Sequence, residues 1–351
     1  MPINLKSIYN HYYMKFFFLS LATTFLFSFA DAQKESNLPG KKINNTAPRL
    51  GKDKIETIIA ALTPEEKIGL IVGDGKFLPA VDQKNMEQGT GIISANQNSK
   101  LLIPRLNIWS SAFSDGPSGL SRDPHPKGAT EYTYTTAFPT STCLAATWNT
   151  PLIETVGKAF GEEVLDYGYD VIFMPAMDLH RNPKCGRNFE YYSEDPLLSG
   201  KMAASMVNGL QSKGIGATLK HFVANNQETN RRTYNTVVGQ RALRELYLRG
   251  FEIAVKEGKP AAIMTSYNKV NGFYTSENPD LLKNIVRKEW GFHGLFLTDF
   301  DGYGSAVGKV RAGNNMLMGG NKDELNELKR ALKDKTLNES TLDKNLVYNL
   351  Q

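Results

Sequence analysis

TPLIETVGKAFGEEVLDYGYDVIFM, residues 150–174, is the stretch on which the fold turns. Thr150-Pro151 opens a helix, because proline's missing N–H is harmless in a first turn. The helix runs to Gly168, a residue suited to leaving it. Tyr169-Asp170-Val171-Ile172-Phe173-Met174 then reads as a buried strand, a short apolar run with β-branched and aromatic residues. Helix followed directly by buried strand is half of a parallel β-α-β unit.

The unit recurs on both sides. Upstream, Thr63-Pro64-Glu65-Glu66 has a cap, a first-turn proline and a glutamate three residues after the cap. Downstream, Asp195-Pro196 opens a helix ending near Gly214, and Ala217 to Phe222 is the next strand. Arg241 to Glu257 is helical, Gly258 stops it, and Ala261 to Ser266 is a strand. Asn278-Pro279 opens a helix that ends at Trp290-Gly291, followed by the strand Leu295 to Asp299. A short helix to Ala312, a strand at Met316 to Met318 and a last helix from Glu324 to Leu332 complete the run. Gly91 to Ala95 and Ile108 to Phe113 are two earlier strand candidates. An eighth strand has no clear place. The rhythm predicts an α/β fold, either a (β/α)8 TIM-like barrel with irregular first strands or a doubly wound sheet. No Gly-rich fingerprint sits at a strand-to-helix turn, which disfavours a dinucleotide-binding sheet.

At 351 residues the chain exceeds the roughly 250 that such a barrel needs. A hydrophobic share of 41% and a charged share of 22% are those of an ordinary globular protein. The net charge of +5 is not concentrated in any Lys or Arg run, and no aromatic-plus-basic motif is present. Nucleic acid is therefore not an expected partner. Residues 1–32 read as a secretory signal peptide. Lys15 precedes the apolar run Phe16 to Ala30, and Ala30-Asp31-Ala32 offers a small-x-small cleavage site; Met14 is an alternative start. The run is short for a membrane span, so none is expected after signal removal. Residues 33–54 form a polar arm and residues 55–351 the barrel domain. Export, to the periplasm or outside the cell, permits a disulfide between Cys143 and Cys185. Two distant cysteines do not establish one, and free thiols are the alternative. No spacing of Cys, His, Asp or Glu calls for a metal, and no cofactor is expected.

The strand exits carry the polar chemistry. Ile108 to Phe113 leads into Ser114-Asp115-Gly116-Pro117. The Asp170 strand leads to Asp178 and then Gly186-Arg187-Asn188. The Ala217 strand carries Lys220-His221, the Ala261 strand leads into Ser266-Tyr267-Asn268, and the Leu295 strand ends at Thr298-Asp299. In a barrel these C-terminal strand ends share one rim, where active sites are built. An Asp that closes a strand is either a cap for the next turn or an accessible nucleophile, and position alone does not choose.

The motifs together do. Asp115-Gly116-Pro117, the segment Gly186-Arg187-Asn188-Phe189-Glu190-Tyr191-Tyr192-Ser193-Glu194-Asp195-Pro196, Lys220-His221-Phe222, Ser266-Tyr267-Asn268 with Asn271-Gly272, and Thr298-Asp299 resemble family 3 glycoside hydrolases of the β-glucosidase and β-xylosidase type. The likeness runs from about Thr63 to the C-terminus. It implies a retaining hydrolase acting at the non-reducing end of β-glycosides, on an oligosaccharide or an aryl or alkyl glycoside. Asp299 is implied as the nucleophile. Asp115, Arg187, Lys220 and His221 are implied to bind the sugar hydroxyls, and Met264, Tyr267 and Phe300 to line the pocket. Lys220 and Arg187 would also keep Asp299 ionised. The pattern departs in places: Phe300 stands where the family usually has Trp, Gln240 where an acid is common, and Gly319-Gly320 where Met-Pro is common.

Retaining hydrolysis needs two carboxyl groups about 5–5.5 Å apart. The resemblance implies that the acid/base comes from a second α/β domain after the barrel, and this sequence ends at Gln351. The His used by single-domain relatives is replaced, since Lys220-His221-Phe222 is followed by Val-Ala-Asn-Asn-Gln. Glu228 and Asp301 are the nearest carboxylates in sequence, and loop salt bridges or caps account for both. Asp178 and His180 are expected to support the Arg187 loop. Two alternatives stay open: a carbohydrate-binding barrel with little turnover, and a class I aldolase using Lys220 as a Schiff-base amine.

Overall fold

The computed structural model describes residues 47–73, 93–94, 101–122 and 130–351. The signal segment and most of the polar arm lie outside the described residues. So does the stretch 74–92.

Two short helices come first, α1 (Ile55–Ala60) and α2 (Pro64–Ile71). The Thr63 hydroxyl accepts the Glu66 N–H at 3.2 Å and the Glu66 carboxylate accepts the Thr63 N–H at 2.8 Å, closing the expected capping box. Four strands follow: β1 (Ile93–Ser94), β2 (Leu101–Ile103), β3 (Ile108–Trp109) and β4 (Ser111–Asp115). The run expected as a single strand, Ile108 to Phe113, thus divides. Its first part pairs antiparallel with β2 and its second joins the main sheet.

From here helix and strand alternate. The elements are α3 (Ser141–Ala145), α4 (Thr150–Asp166), β5 (Val171–Phe173), α5 (Pro196–Gln211), β6 (Gly216–Phe222) and the short β7 (Asn235–Thr236). A continuous helical stretch follows: α6 (Gln240–Ala242), a π-helical turn at Leu243–Tyr247 and α7 (Leu248–Gly258). Then come β8 (Ala262–Thr265), β9 (Lys269–Val270), β10 (Phe273–Tyr274), a π-helix at Asp280–Glu289 and β11 (Leu295–Thr298). Helices α8 (Ala306–Ala312), α9 (Lys322–Lys333) and α10 (Glu339–Asn349) end the chain. Among the described residues no helix is long and apolar enough to cross a membrane.

The main sheet is parallel, in the order β1-β4-β5-β6-β8-β11. Two single bridges extend it. Met316 pairs with Leu297 of β11, and Leu317 pairs with Val72, the residue after α2. The strand positions therefore follow the chain in order, and the last returns to the first, as in a TIM-like barrel. The one junction not seen among the described residues is that between Val72 and β1. Val72 is the strand missing from the sequence reading. It is a single bridging residue at the end of an apolar helix, too short to show a period of its own.

Side chains alternate across the sheet, as the pleat requires. Ala112, Ile172, Ile263 and Phe296 join the layer packed against the helices. Their neighbours Phe113, Phe173, Met264 and Leu297 join the interior cluster. The Phe113 and Phe173 rings stack there with centroids 4.5 Å apart. Burying each such ring stabilises the fold by about 1.5–3 kcal/mol. Outside the sheet, α4 and α5 cross at glycines. A Cβ on Gly209 would lie 2.4 Å from the Glu154 carbonyl oxygen and 2.8 Å from the Gly157 Cα, so any side chain there would push the helices apart. Cys143 and Cys185 are free thiols.

Candidate active site

The register of the parallel strands brings the expected residues to one rim. Asp115 ends β4, Lys220 and His221 sit near the end of β6, and Asp299 follows β11. The Asp299 N–H donates to the Thr265 carbonyl at 3.1 Å, which continues the ladder one residue beyond β11 and fixes the nucleophile candidate at the strand mouth.

Lys220 is 2% exposed, yet its amine reaches the rim and donates to Asp115 Oδ1 at 2.5 Å. The Gly116 N–H donates to the same oxygen at 2.9 Å. Asp115 itself is 36% exposed, so this pair opens outward. Arg187 comes from the loop after β5, where a 3-10 turn, Asn188–Glu190, pairs its Nε with the Glu190 carboxylate. Burial opposes the guanidinium charge, but Tyr191, Glu190 and Asp299 outweigh it, and its pKa is raised. His180 holds this loop, with Nε2 lying 2.8 Å from the Asn188 carbonyl and 3.1 Å from that of Tyr191.

Asp178 does something other than the expected support of that loop. Its Oδ2 accepts the His221 backbone N–H at 2.9 Å and lies 3.2 Å from the His221 ring Nδ1. Its Oδ1 accepts the Asn225 N–H at 2.9 Å. One carboxyl thus fixes both the backbone and the ring of His221. Burial pushes Asp178 up to about 7, although the two backbone donors oppose that. Burial also drives the His221 pKa down, helped by Arg187, Lys220 and Arg231. The imidazole Nε2 faces Asp299 Oδ2 at 3.8 Å.

Asp299 is 7% exposed. Oδ1 accepts the Phe300 N–H at 2.8 Å, while the buried Oδ2 has no hydrogen-bond donor among the described residues. Burial raises the Asp299 pKa. Arg187, the Phe300 N–H, Lys220 and the Tyr267 hydroxyl all pull it back, but the net shift is upward. Arg187 and Lys220 act in the expected direction, favouring the ionised form of Asp299 against the burial that opposes it.

Tyr267 and Phe300 sit around this carboxylate. The Tyr267 ring is 4% exposed and lies under two guanidinium groups, Arg231 at 5.1 Å and Arg232 at 5.0 Å. Phe300 packs on the interior cluster, 6.2 Å from the Phe113 ring. Met264 is 2% exposed and belongs to that cluster. Gly319 has a positive φ of +98°, and a Cβ there would lie 2.3 Å from Asp301 Oδ1, so the glycine that departs from the family pattern lets the loop after Asp299 close down.

Arg231, Arg232 and Tyr191 escaped the sequence reading as site residues. Tyr191 lies inside the Arg187 segment, and its hydroxyl is 3.4 Å from His221 Nδ1. The arginines come from the loop between β6 and β7, where sequence offers no strand-end signal. Glu228, one of the two carboxylates nearest the motifs, pairs with Arg231 at 2.9 Å. That is the loop salt bridge expected for it.

A parallel barrel whose rim gathers charged donors, carboxylate acceptors and aromatic rings is built to read a ligand rich in hydroxyls. Residues 125–348 match the glycosyl hydrolase family 3 N terminal domain, and the chain belongs to that family. Beta-glucosidase A of Butyrivibrio fibrisolvens is 47% identical over 67% of this chain and 28% of its own length. Thermostable beta-glucosidase B of Acetivibrio thermocellus is 40% identical over 75% of this chain and 33% of its own. The structure of beta-glucosidase 3B from Thermotoga neapolitana in complex with α-D-glucose superposes with a TM-score of 0.75 at 46% identity, covering 84% of this chain and 41% of that one. The chain therefore spans less than half the length of these relatives.

Proposed function

We propose that the rim binds the non-reducing glucose unit of β-glucosides and that Asp299 attacks its anomeric carbon. The observation that carries this reading is the pair of oxygens on Asp299. Oδ1 is held by the Phe300 N–H, and Oδ2 is buried, lies 3.8 Å from His221 Nε2 and has no hydrogen-bond donor among the described residues. A carboxylate so placed is a nucleophile with a fixed line of attack. The glucose complex of the Thermotoga relative supports the choice of sugar.

In this scheme the Asp299 Oδ2–C1 bond forms as the C1–O bond to the leaving group breaks, and water then displaces Asp299 with retention. Asp115, Lys220, Arg187 and His221 orient the hydroxyls, and Tyr267 steadies the carboxylate. The proton for the leaving oxygen needs a second carboxyl group. Asp115, Asp178, Glu190 and Glu228 are each engaged by a cation or by backbone donors. We assign the acid to a second α/β domain, as the family resemblance implies. The same observation gives the carbohydrate-binding alternative its force.

Leaving-group chemistry tests the reading. The chain is expected to release dinitrophenolate from 2,4-dinitrophenyl β-D-glucoside, whose leaving group needs no proton, and to leave methyl β-D-glucoside untouched. Release no faster than that of Asp299→Asn would sink the catalytic reading and leave the binding one. Export is part of the proposal, resting on Lys15, the run Phe16 to Ala30 and Ala30-Asp31-Ala32. Sequencing of the secreted protein is expected to begin at Gln33; an N-terminus at Met1 or Met14 would contradict it.

A further inference from the structure

At the opposite end of the barrel the strands begin, and there a cavity of about 550 Å³ lies between the π-helix Asp280–Glu289, the start of β11, the end of α8, and α10. Its size is that of a small-molecule site. Leu282, Phe296, Val310 and Tyr348 give it an apolar floor and wall. Its charged side chains are cationic: Lys283, Arg287, Lys288 and Lys344, with His293 beside them and no Asp or Glu; Gln351, the last residue of the sequence, also lines it.

The carboxylates of the bordering helices are turned elsewhere. Glu339 and Asp343 both pair with Lys67, at 2.7 and 2.6 Å. Glu289 pairs with Arg244, and Asp280 Oδ1 accepts the Asn284 amide at 2.9 Å. Arg287 consequently has only neutral partners. It donates to the Phe292 and Gly294 carbonyls and to Asn315 Oδ1 at 3.0, 2.6 and 3.0 Å. Its guanidinium lies 3.7 Å from the Tyr348 ring centroid and 4.6 Å from that of Phe296. Burial without a counter-ion lowers its pKa to about 10. Lys283 is also shifted down, by burial and then by Lys344 and Lys288, and its amine donates to the Arg311 carbonyl at 2.6 Å.

We propose that this cavity is a second ligand site, for an organic anion with an apolar body and a phosphate or carboxylate head. The head would enter among Lys283, Lys288 and Lys344, relieving their repulsion through charge-assisted hydrogen bonds. The body would lie against Phe296, Val310 and Tyr348. The site stands at the far end of the strands from Asp299 and takes no part in the glycosidic chemistry.

Phenyl phosphate is a suitable probe, titrated calorimetrically into the whole chain at low salt, with inorganic phosphate and benzyl alcohol as comparators. Saturable binding is expected for phenyl phosphate, tighter than for either comparator and weakened by added salt. In the double variant Lys288→Gln, Lys344→Gln, both on exposed side chains, affinity is expected to fall by about tenfold or more. Affinity unchanged in that variant, given an unchanged melting temperature, would overturn the proposal. So would benzyl alcohol binding as tightly as phenyl phosphate, or no saturable binding at all.

Discussion

Lys220 and Lys309 are almost equally buried, at 2% and 1% exposure, and they do opposite work. Lys309, on α8, is closed in on all sides. Its amine donates to Glu324 Oε1 at 2.7 Å and to the Gly302 carbonyl at 2.5 Å, and Glu324 is itself 8% exposed. The pair ties α8 and α9 to the loop that follows Asp299. Lys220 has one acid partner, Asp115, which is 36% exposed and faces the open rim. Burial of a charge therefore does not mark a site. What sets Lys220 apart is that its partner stands at the strand ends beside Asp299, whereas Lys67, also buried and paired with the more exposed Glu339 and Asp343, joins α2 to α10.

The contrast predicts different costs for the same substitution. Lys309→Met strands the Glu324 carboxyl inside the protein and should lower unfolding stability by about 3–5 kcal/mol. Lys220→Met leaves Asp115 free to take up water and should cost clearly less. Denaturant midpoints of the two variants check this, and equal losses would erase the distinction. Binding should invert the order. Lys220→Met removes a charged donor to a sugar hydroxyl, worth about 1.5–3 kcal/mol, so glucose affinity should fall by about ten- to a hundredfold. A folded Lys309 variant should bind glucose nearly as the parent does, and calorimetry reads both.

A smaller effect concerns pH. The Asp178 carboxyl is raised from 3.8 to about 7 by burial. A raised carboxyl adds stability that is complete below its unfolded pKa and is lost as pH climbs through the folded one. Asp178 should therefore contribute stability that declines between about pH 4 and pH 7, while the lowered His221 acts in the opposite sense, losing stability as pH falls below about 6.5. Asp178→Asn should remove the first contribution and make urea midpoints rise more steeply with pH across the range. A slope unchanged by the substitution would show that Asp178 does not titrate there. The smallest effect gives a yardstick far from either lysine. Thr63→Ala removes one half of the capping box on α2 and should cost about 1 kcal/mol in the same denaturation assay.

The rim was legible in the sequence because strand ends are local. Asp115, Lys220, His221 and Asp299 each close an apolar run, and a barrel places such ends together. Asp178 is different. Its grip on His221 spans 43 positions, and nothing local in sequence distinguishes it from a loop carboxylate. Helix α10 was also missed, being polar over most of its surface. Leu342, Leu346 and Leu350, spaced by four and all buried, were the signal for it. The basic cavity at the other end was invisible for a related reason. Lys283 and Lys288 look like ordinary solvated charges until α10 brings Lys344 beside them.

The central claim is that this barrel holds a competent nucleophile at Asp299. Incubation with 2,4-dinitrophenyl 2-deoxy-2-fluoro-β-D-glucoside, followed by intact mass and peptide mapping, tests it most directly. The dinitrophenolate leaves without a proton, and the fluorine slows turnover of the intermediate. The account predicts one fluoroglucosyl group per chain, carried by Asp299 and absent from Asp299→Asn. A folded chain that takes up no label, or that carries it on another residue, would contradict it.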